Sequence, residues 1–495
     1  MSKYKLHPIS AVIDGFKSLR GMILPFIIII VANGFNINMD IRDERFWGEM
    51  VPFFILVIVV IFTFIHGIVK WITFRYWFED SELRIQYGLF IKKNRFIPFD
   101  RIQSLNYKEG ILHRILGLVQ VSVETAGGTS SAAEAELTAI TKEAANRIEK
   151  EMYAAKRGTV VDEIDLLVEP ELQVIHKMSP MELVILATTS GGVGVILFGV
   201  ATVITQFVEY IPFDRFAGEL EYFVKYSFLF ITILVIMGLI AAWLISVALT
   251  MLNYYDFKVS VENEKLIITR GLLEKKRVTI PLNRVQAIEI TENPIRQIFG
   301  LATVTLETAG GGFAEKGEFN NSVKLFPLIL KKDLIEPLKM VFPQFEFDFD
   351  HKVKKSPPRA RPFFYRLDFF WWIPIVGFVS YFAFPYGLLS LLTIFPVIIL
   401  GVWRHRTAAF IHSNSQIVIV SRLFSKITFI AEKKRIQSLE MRQSIFQKQR
   451  NIASLKVSVM SGISGATSIA SHMDEKDINA CLNWYEHNKE HKETN

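Results

Sequence analysis

Hydrophobic and polar positions along this chain alternate between two regimes. Long, nearly unbroken apolar runs come in pairs, at Met22–Phe35 and Val51–Phe74, Met181–Phe207 and Val224–Leu252, and Phe369–Phe384 and Tyr386–Trp403. Runs of this length and composition predict helices that cross a bilayer, six in all and arranged as three hairpins. After each pair the pattern switches to period two. Val119, Val121 and Val123 alternate with Gln120, Ser122 and Glu124. Ala302, Val304 and Leu306 alternate with Thr303, Thr305 and Glu307, and Leu455, Val457 and Val459 recur in step. Such alternation predicts strands with one buried face. Each β-rich stretch then ends in a segment of helical spacing, at about Lys142–Ala155, Leu328–Val341 and Glu475–His487.

The β-rich stretches are copies of one unit. Gly88–Gly128 and Gly271–Gly311 share most of their pattern, and a diverged third copy starts at Arg422. Thirteen positions separate Gly88 from Arg101, Gly271 from Arg284 and Arg422 from Arg435. Internal repetition of this kind marks duplicated structural units. The expected division is an N-terminal segment and first hairpin over 1–74, a β unit over 75–160, and a second hairpin over 161–252. A second β unit follows over 253–345, then a linker and third hairpin over 346–404, the diverged β unit over 405–490 and a tail over 491–495. Phe342–Arg366, with Pro357 and Pro358, reads as an extended linker.

Composition agrees with a membrane protein. Of 495 residues 51% are hydrophobic and 41 are Phe, and the mean hydropathy is +0.30. The net charge of +7 is modest, so the Lys and Arg residues report topology rather than nucleic-acid binding. Connectors 36–50 and 208–223 are net acidic, whereas Lys17, Arg20, Lys70, Arg75, Arg361, Arg366, Arg404 and Arg406 flank the opposite ends of the runs. The positive-inside rule therefore places both termini and all three β units in the cytoplasm. The single cysteine, Cys481, excludes an internal disulfide framework.

Three short elements recur: Arg101-Ile102-Gln103-Ser104-Leu105, Arg284-Val285-Gln286-Ala287-Ile288 and Arg435-Ile436-Gln437-Ser438-Leu439. Gly117-Leu118 and Gly300-Leu301 follow, then Glu124-Thr125-Ala126-Gly127-Gly128 and Glu307-Thr308-Ala309-Gly310-Gly311. These motifs resemble the bacterial PH-like family, formerly the membrane-flanked domain DUF304, in its three-copy, YdbT-like form. The resemblance implies an α+β membrane protein in which each helix hairpin precedes a PH-like β-sandwich capped by a C-terminal helix. It also implies a YdbS-like single-PH-domain membrane protein as a partner, but no established biochemical activity. No cofactor is expected. The third copy departs from the pattern: Arg422 replaces the turn glycine, Glu432 replaces Pro98 and Pro281, and Met460 replaces the glutamate.

Two groups of residues are candidates for binding. Arg101, Gln103, Arg284, Gln286, Arg435 and Gln437 could hold an anionic ligand or a partner's carboxylate, because guanidinium pairs bidentately with such groups. The competing reading is an architectural arginine that satisfies backbone carbonyls or a nearby acid such as Glu124 or Glu307. Lys92, Lys93, Arg95, Lys275, Lys276, Arg277 and Lys426 follow the repeated turn and could meet anionic headgroups, or be solvated hairpin tips. Phosphoinositide recognition in the eukaryotic manner is disfavoured, because the first inter-strand loops include the acidic Glu79-Asp80-Ser81-Glu82. Enzyme signatures are absent: no His-Glu-x-x-His occurs, and Gly462-Ile463-Ser464-Gly465 lacks nucleophile-elbow spacing. The sequence thus favours a non-enzymatic membrane adaptor or scaffold that binds protein or lipid, with a transport or lipid-translocation component as the alternative.

Overall fold

A computed structural model describes residues 3–19, 44–125, 134–157, 173–190, 194, 228–262, 264–309, 322–347, 353–462 and 465–486. Three helices in it are long and apolar enough to cross a membrane, with spans at Phe54–Thr73, Val235–Tyr254 and Tyr386–Thr407. The last is part 3-10 helix over Tyr386–Thr393 and part α-helix over Ile394–Thr407. Pro180–Thr189 and Asp368–Phe382 form shorter apolar helices. The expected run at 22–35, and most of 191–227, lie outside the described residues, and the expected run Phe369–Phe384 falls on one of the shorter helices; the described residues carry three candidate spans where the sequence predicts six. The spans are only about a tenth buried, which suits surfaces that face acyl chains.

Each repeat supplies two antiparallel three-stranded meanders. The first is β1 (Arg75–Glu79), β2 (Glu82–Tyr87) and β3 (Lys93–Pro98), followed by β4 (Ile102–Glu109), β5 (Leu118–Thr125) and β6 (Ala135–Thr141). The second is β8 (Lys258–Glu262), β9 (Lys265–Arg270) and β10 (Lys275–Pro281), then β11 (Val285–Glu292), β12 (Leu301–Thr308) and β13 (Ser322–Leu330). The third is β15 (Ala409–His412), β16 (Gln416–Arg422) and β17 (Lys426–Glu432), then β18 (Ile436–Arg442), β19 (Ile452–Val459) and β20 (Ala466–Asp474). The predicted alternation holds: Val119, Val121 and Val123 are buried with Leu83, Ile85, Ile148 and Met152 in one core. The closing helices run over Lys142–Arg157, Ile335–Val341 and Glu475–Glu486. The middle one starts seven residues later than expected, because the apolar run Leu325–Leu328 is buried as strand β13.

Two short strands stand ahead of the apolar runs, β7 (Gln173–Lys177) and β14 (Lys354–Lys355). They pair with β8 and β15, the first strands after those runs. A single bridge between Tyr4 and Tyr76 does the same in the first repeat. Each membrane segment is therefore pinned between chain that enters it and chain that leaves it. The supposed linker is tied down as well. Phe342, Phe345 and Phe347 are buried in the second repeat's core, since alternate phenylalanines of Phe345-Glu346-Phe347 point inward. Gln416 accepts from the Glu346 amide and donates to its carbonyl, at 3.0 and 2.8 Å.

The repeats do not close on themselves. Sheet order is β6-β5-β4-β10-β9-β8-β7 and β13-β12-β11-β17-β16-β15-β14, with β1-β2-β3 and β18-β19-β20 left as three-stranded ends. The second meander of one repeat thus joins the first meander of the next through an antiparallel seam.

Candidate functional site

The seams reuse equivalent residues. In the first, Lys275 faces Glu109, Lys276 faces Lys108 and Arg277 faces Tyr107. In the second, Lys426 faces Glu292 and Ala431 faces Ala287, with four pairs between. The Lys275–Glu109 and Lys426–Glu292 pairs occupy the same position counted from Arg101, Arg284 and Arg435. Lys426 Nζ lies 3.1 Å from the buried Glu292 carboxylate. The like-charged Lys108 and Lys276 are bridged by Glu274, at 2.8 and 3.3 Å. The Arg277 guanidinium lies over the Tyr107 ring.

The Arg-x-Gln elements sit at these seams. Each arginine ends a single 3-10 turn that joins the two meanders of its repeat. Arg284 is buried, donates from Nη2 to the Thr125 carbonyl at 2.9 Å, and has Nη1 3.8 Å from Glu124. Burial pushes its pKa down, with Glu124 opposing. Glu124 itself accepts from Ser104 and Asn106 at 3.1 and 2.7 Å. Gln286 donates to the Arg284 carbonyl at 3.0 Å. Arg435 donates to the Asn283 carbonyl at 2.6 Å, again across a seam. Arg101, which has no repeat before it, is exposed; Gln103 is half-buried and Gln437 exposed. The six residues do not converge on one cavity.

A second surface lies beside the membrane helices. The repeated turn at 88–92 exposes Leu89, Phe90 and Ile91, with Phe90 96% accessible. Leu272, Leu273, Leu423 and Phe424 are exposed at the equivalent turns. Every turn is tied to the C-terminal end of a candidate span. The Gly88 amide donates to Thr73 Oγ1 at 3.4 Å and the Leu272 amide to the Leu252 carbonyl at 2.9 Å. Arg404 Nε donates to the Leu423 carbonyl at 3.2 Å, and Arg422 stacks on Trp403 at 3.9 Å.

Short amphipathic helices at Ile111–Ile115, Pro294–Ile298 and Ile445–Lys448 add Ile115, Ile298, Phe299, Ile445 and Phe446 to the exposed apolar set. They adjoin the turns: Arg114 Nη1 donates to the Leu272 carbonyl, and Arg422 Nη2 to Gln297 Oε1, both at 2.6 Å. Each helix is pinned to the last strand by a buried polar side chain at one repeated position. His113 donates to the Thr138 carbonyl at 2.8 Å, Arg296 to the Pro327 carbonyl at 3.4 Å, and Gln447 to His472 Nδ1 at 2.8 Å. This series of His, Arg and Gln escapes a search for identical residues; only counting from the motif arginine aligns it.

The basic residues divide between the two surfaces. Lys92, Lys93 and Arg95 are exposed beside the first apolar turn, whereas Lys275, Lys276, Arg277 and Lys426 lie on seam strands. A groove of about 550 Å³ lies beside the Lys142–Arg157 helix, lined by Tyr4, His7, Tyr76, Phe78, Glu143 and Arg147 among others.

These features define a class: repeated PH-like sheets, each pinned to a membrane helix and joined edge to edge. The family model for the bacterial PH domain matches three times, at residues 23–156, 184–325 and 370–489. The chain belongs to this family. It is similar to UPF0699 transmembrane protein YdbT of Bacillus subtilis (strain 168), with 34% identity over 499 residues covering 98% of each chain. No solved structure matches.

Proposed function

We propose that the protein is a non-enzymatic multi-pass membrane scaffold whose PH-like domains bind a protein partner or lipid at the inner face of the membrane. The observation that carries this reading is the row of exposed apolar turns hydrogen-bonded to the ends of the membrane helices. Exposed apolar clusters of this kind beside basic side chains suit an interfacial surface, where Phe and Leu enter the headgroup region and Lys meets anionic lipid. The seams add a rigid spine, so three lipid-facing units are held in fixed relation and bind with a shared entropic cost.

In this reading six helices cross the membrane as three hairpins, and both termini and all three PH-like domains are cytoplasmic, a topology that the flanking charges favour. A single-PH-domain membrane protein of the YdbS-like kind is a natural partner, because it would carry the same edge strands and the same turn. A contribution to envelope stress tolerance follows if the assembly organises membrane components under load. Purified protein in liposomes tests the scaffold against a transport or lipid-translocation component. The scaffold predicts ion flux and lipid scrambling equal to protein-free vesicles, together with co-purification of a PH-like membrane partner after cross-linking. Robust flux from the purified protein alone overturns it.

A further inference from the structure

The two internal seams leave the ends of the series open. β3 in the first repeat is equivalent to β10 and β17, which are paired, yet no described strand pairs with its outer edge; Arg95 on β3 donates to the Glu134 carbonyl of the same repeat. Phe96 is 58% exposed, whereas Ile430, at the same position in the third repeat, is fully buried. β18 in the last repeat is equivalent to β4 and β11, and no described strand pairs with its outer edge either. An unpaired strand edge templates another strand. Here the chain already contains two copies of the pairing that would fill it.

We infer that β3 of one copy pairs with β18 of a second copy of this chain, continuing the internal seams between molecules. The register follows from the two existing seams. Ile290 faces Thr428 and Tyr107 faces Arg277, so Met441 faces Asn94. Glu289 faces Phe429, which sets Glu440 opposite Arg95, an opposite-charge pair. Ile288 faces Ile430, which sets Leu439 against the exposed Phe96. Arg442 then faces Lys93, as Lys108 faces Lys276 in the first seam, and Glu440 is already 2.9 Å from Arg442 to offset that pair. Arg101 takes the place of Arg284 and Arg435, each of which donates to a carbonyl of the repeat before it. Lys93 on β3 does not forbid the pairing, because Lys276 occupies the same position in a paired strand.

This goes beyond a scaffold role, since a scaffold need not pair with itself. Because unlike edges meet, the contact is head to tail and gives rings or linear arrays rather than closed two-fold dimers. Confinement of both copies to one membrane raises their effective concentration.

The test uses full-length chains in native membranes. One carries Asn94→Cys and one tag; the other carries Met441→Cys and a second tag. Directly opposed strand positions come within disulfide reach, and the native Cys481 is buried. Oxidation is expected to give a dimer bearing both tags, absent with either single variant alone. Arg277→Cys with Tyr107→Cys in one chain checks the seam register internally. Glu440→Arg, on an exposed pair, is expected to reduce the cross-link at least tenfold, and Arg95→Glu in the same chains to restore it. Absence of the mixed-tag dimer, or a cross-link that Glu440→Arg leaves unchanged, overturns the proposal. So does pairing of these edges with a different protein in place of a second copy.

Discussion

Arg284 donates through Nη2 to the carbonyl of Thr125, 2.9 Å away and 159 positions earlier in the chain. The bond joins two repeats, and so recasts the motif arginine as a seam residue. Glu124, 3.8 Å from Nη1, is almost wholly buried. Removing the guanidinium takes the cation from beside that buried carboxylate, which keeps its bonds from Ser104 and Asn106, and removes a donor from the Thr125 carbonyl. Arg284→Ala is therefore expected to destabilise the joined first and second repeats by about 3 kcal/mol. Amide exchange on β4 and β10 should accelerate ahead of the rest of the chain. Arg101→Ala, at an exposed position, should change stability by less than about 0.5 kcal/mol. Equal effects from the two substitutions would remove the seam role from Arg284.

The glycine turn makes a sharper local prediction. Gly271 has φ +106°, and a Cβ there would lie 2.1 Å from the Glu274 carbonyl oxygen. Gly88 repeats this at φ +104°, against Ile91. Gly271→Ala therefore combines backbone strain with a clash against main chain, and should cost about 1–3 kcal/mol. It should also weaken the contact of Leu272 with Leu252. A thermal shift in detergent, with Gly238→Ala in the Phe228–Tyr254 helix as a control, measures it. Among the described residues nothing lies within 4 Å of the Gly238 position, so that control should leave the melting temperature unchanged or slightly raised.

Much of this fold is legible in the residues, and what is not has a physical reason. Alternation at Val119–Val123 reports a buried face, and the structure has those strands. The spacing of Arg101, Arg284 and Arg435 reports three copies, and the structure has three pairs of meanders. Alternation says nothing, however, about which strand lies beside an edge. Edge pairing is made by backbone amides and carbonyls, which every residue carries, so Lys275 looks the same whether it faces water or Glu109. The basic run after each turn therefore reads as one headgroup-binding set, although Lys426 reaches Glu292 across a seam. The third turn shows the same limit. Arg422 in place of glycine reads as decay, yet its guanidinium stacks on Trp403 and donates to Gln297.

His472 gives the third repeat a pH response. Its ring is packed against Phe363 and Phe364 at 5.5 and 4.8 Å, and Gln447 Nε2 donates to Nδ1 at 2.8 Å. Burial pushes its pKa down from 6.5 to about 4. The neutral ring is thus favoured in the folded state, and protonation would also abolish the Nδ1 acceptor. Because the folded value lies below the unfolded one, this stability is fully present above pH 6.5. It is lost as pH falls from there to about 4 and changes no further below. The total is at most about 3 kcal/mol. Unfolding of the third repeat followed between pH 7 and 4 should show this slope, and His472→Gln should flatten it. A slope unchanged in the variant would assign the response to other groups.

The exposed turns carry the last prediction, because they decide whether the PH-like units touch lipid. Phe90 is 96% exposed and Phe424 61% exposed. If these rings enter the interface, each burial is favourable by about 1.5–3 kcal/mol. Three turns on a rigid spine would then hold the sheets against the bilayer. Phe90→Trp and Phe424→Trp variants in nanodiscs should fluoresce blue-shifted relative to a tryptophan at Phe446→Trp only if the turns lie deeper than the short helix. All three should be quenched by lipids brominated near the glycerol, and none by bromines at the acyl terminus. Phe90→Asp should leave the Arg277→Cys–Tyr107→Cys seam cross-link intact while making the first repeat more readily proteolysed. Tryptophans at Phe90 and Phe424 that stay red-shifted and unquenched in nanodiscs would mean that the turns face water. The apolar surface would then be a protein-docking face, and the membrane helices alone would hold the domains at the bilayer.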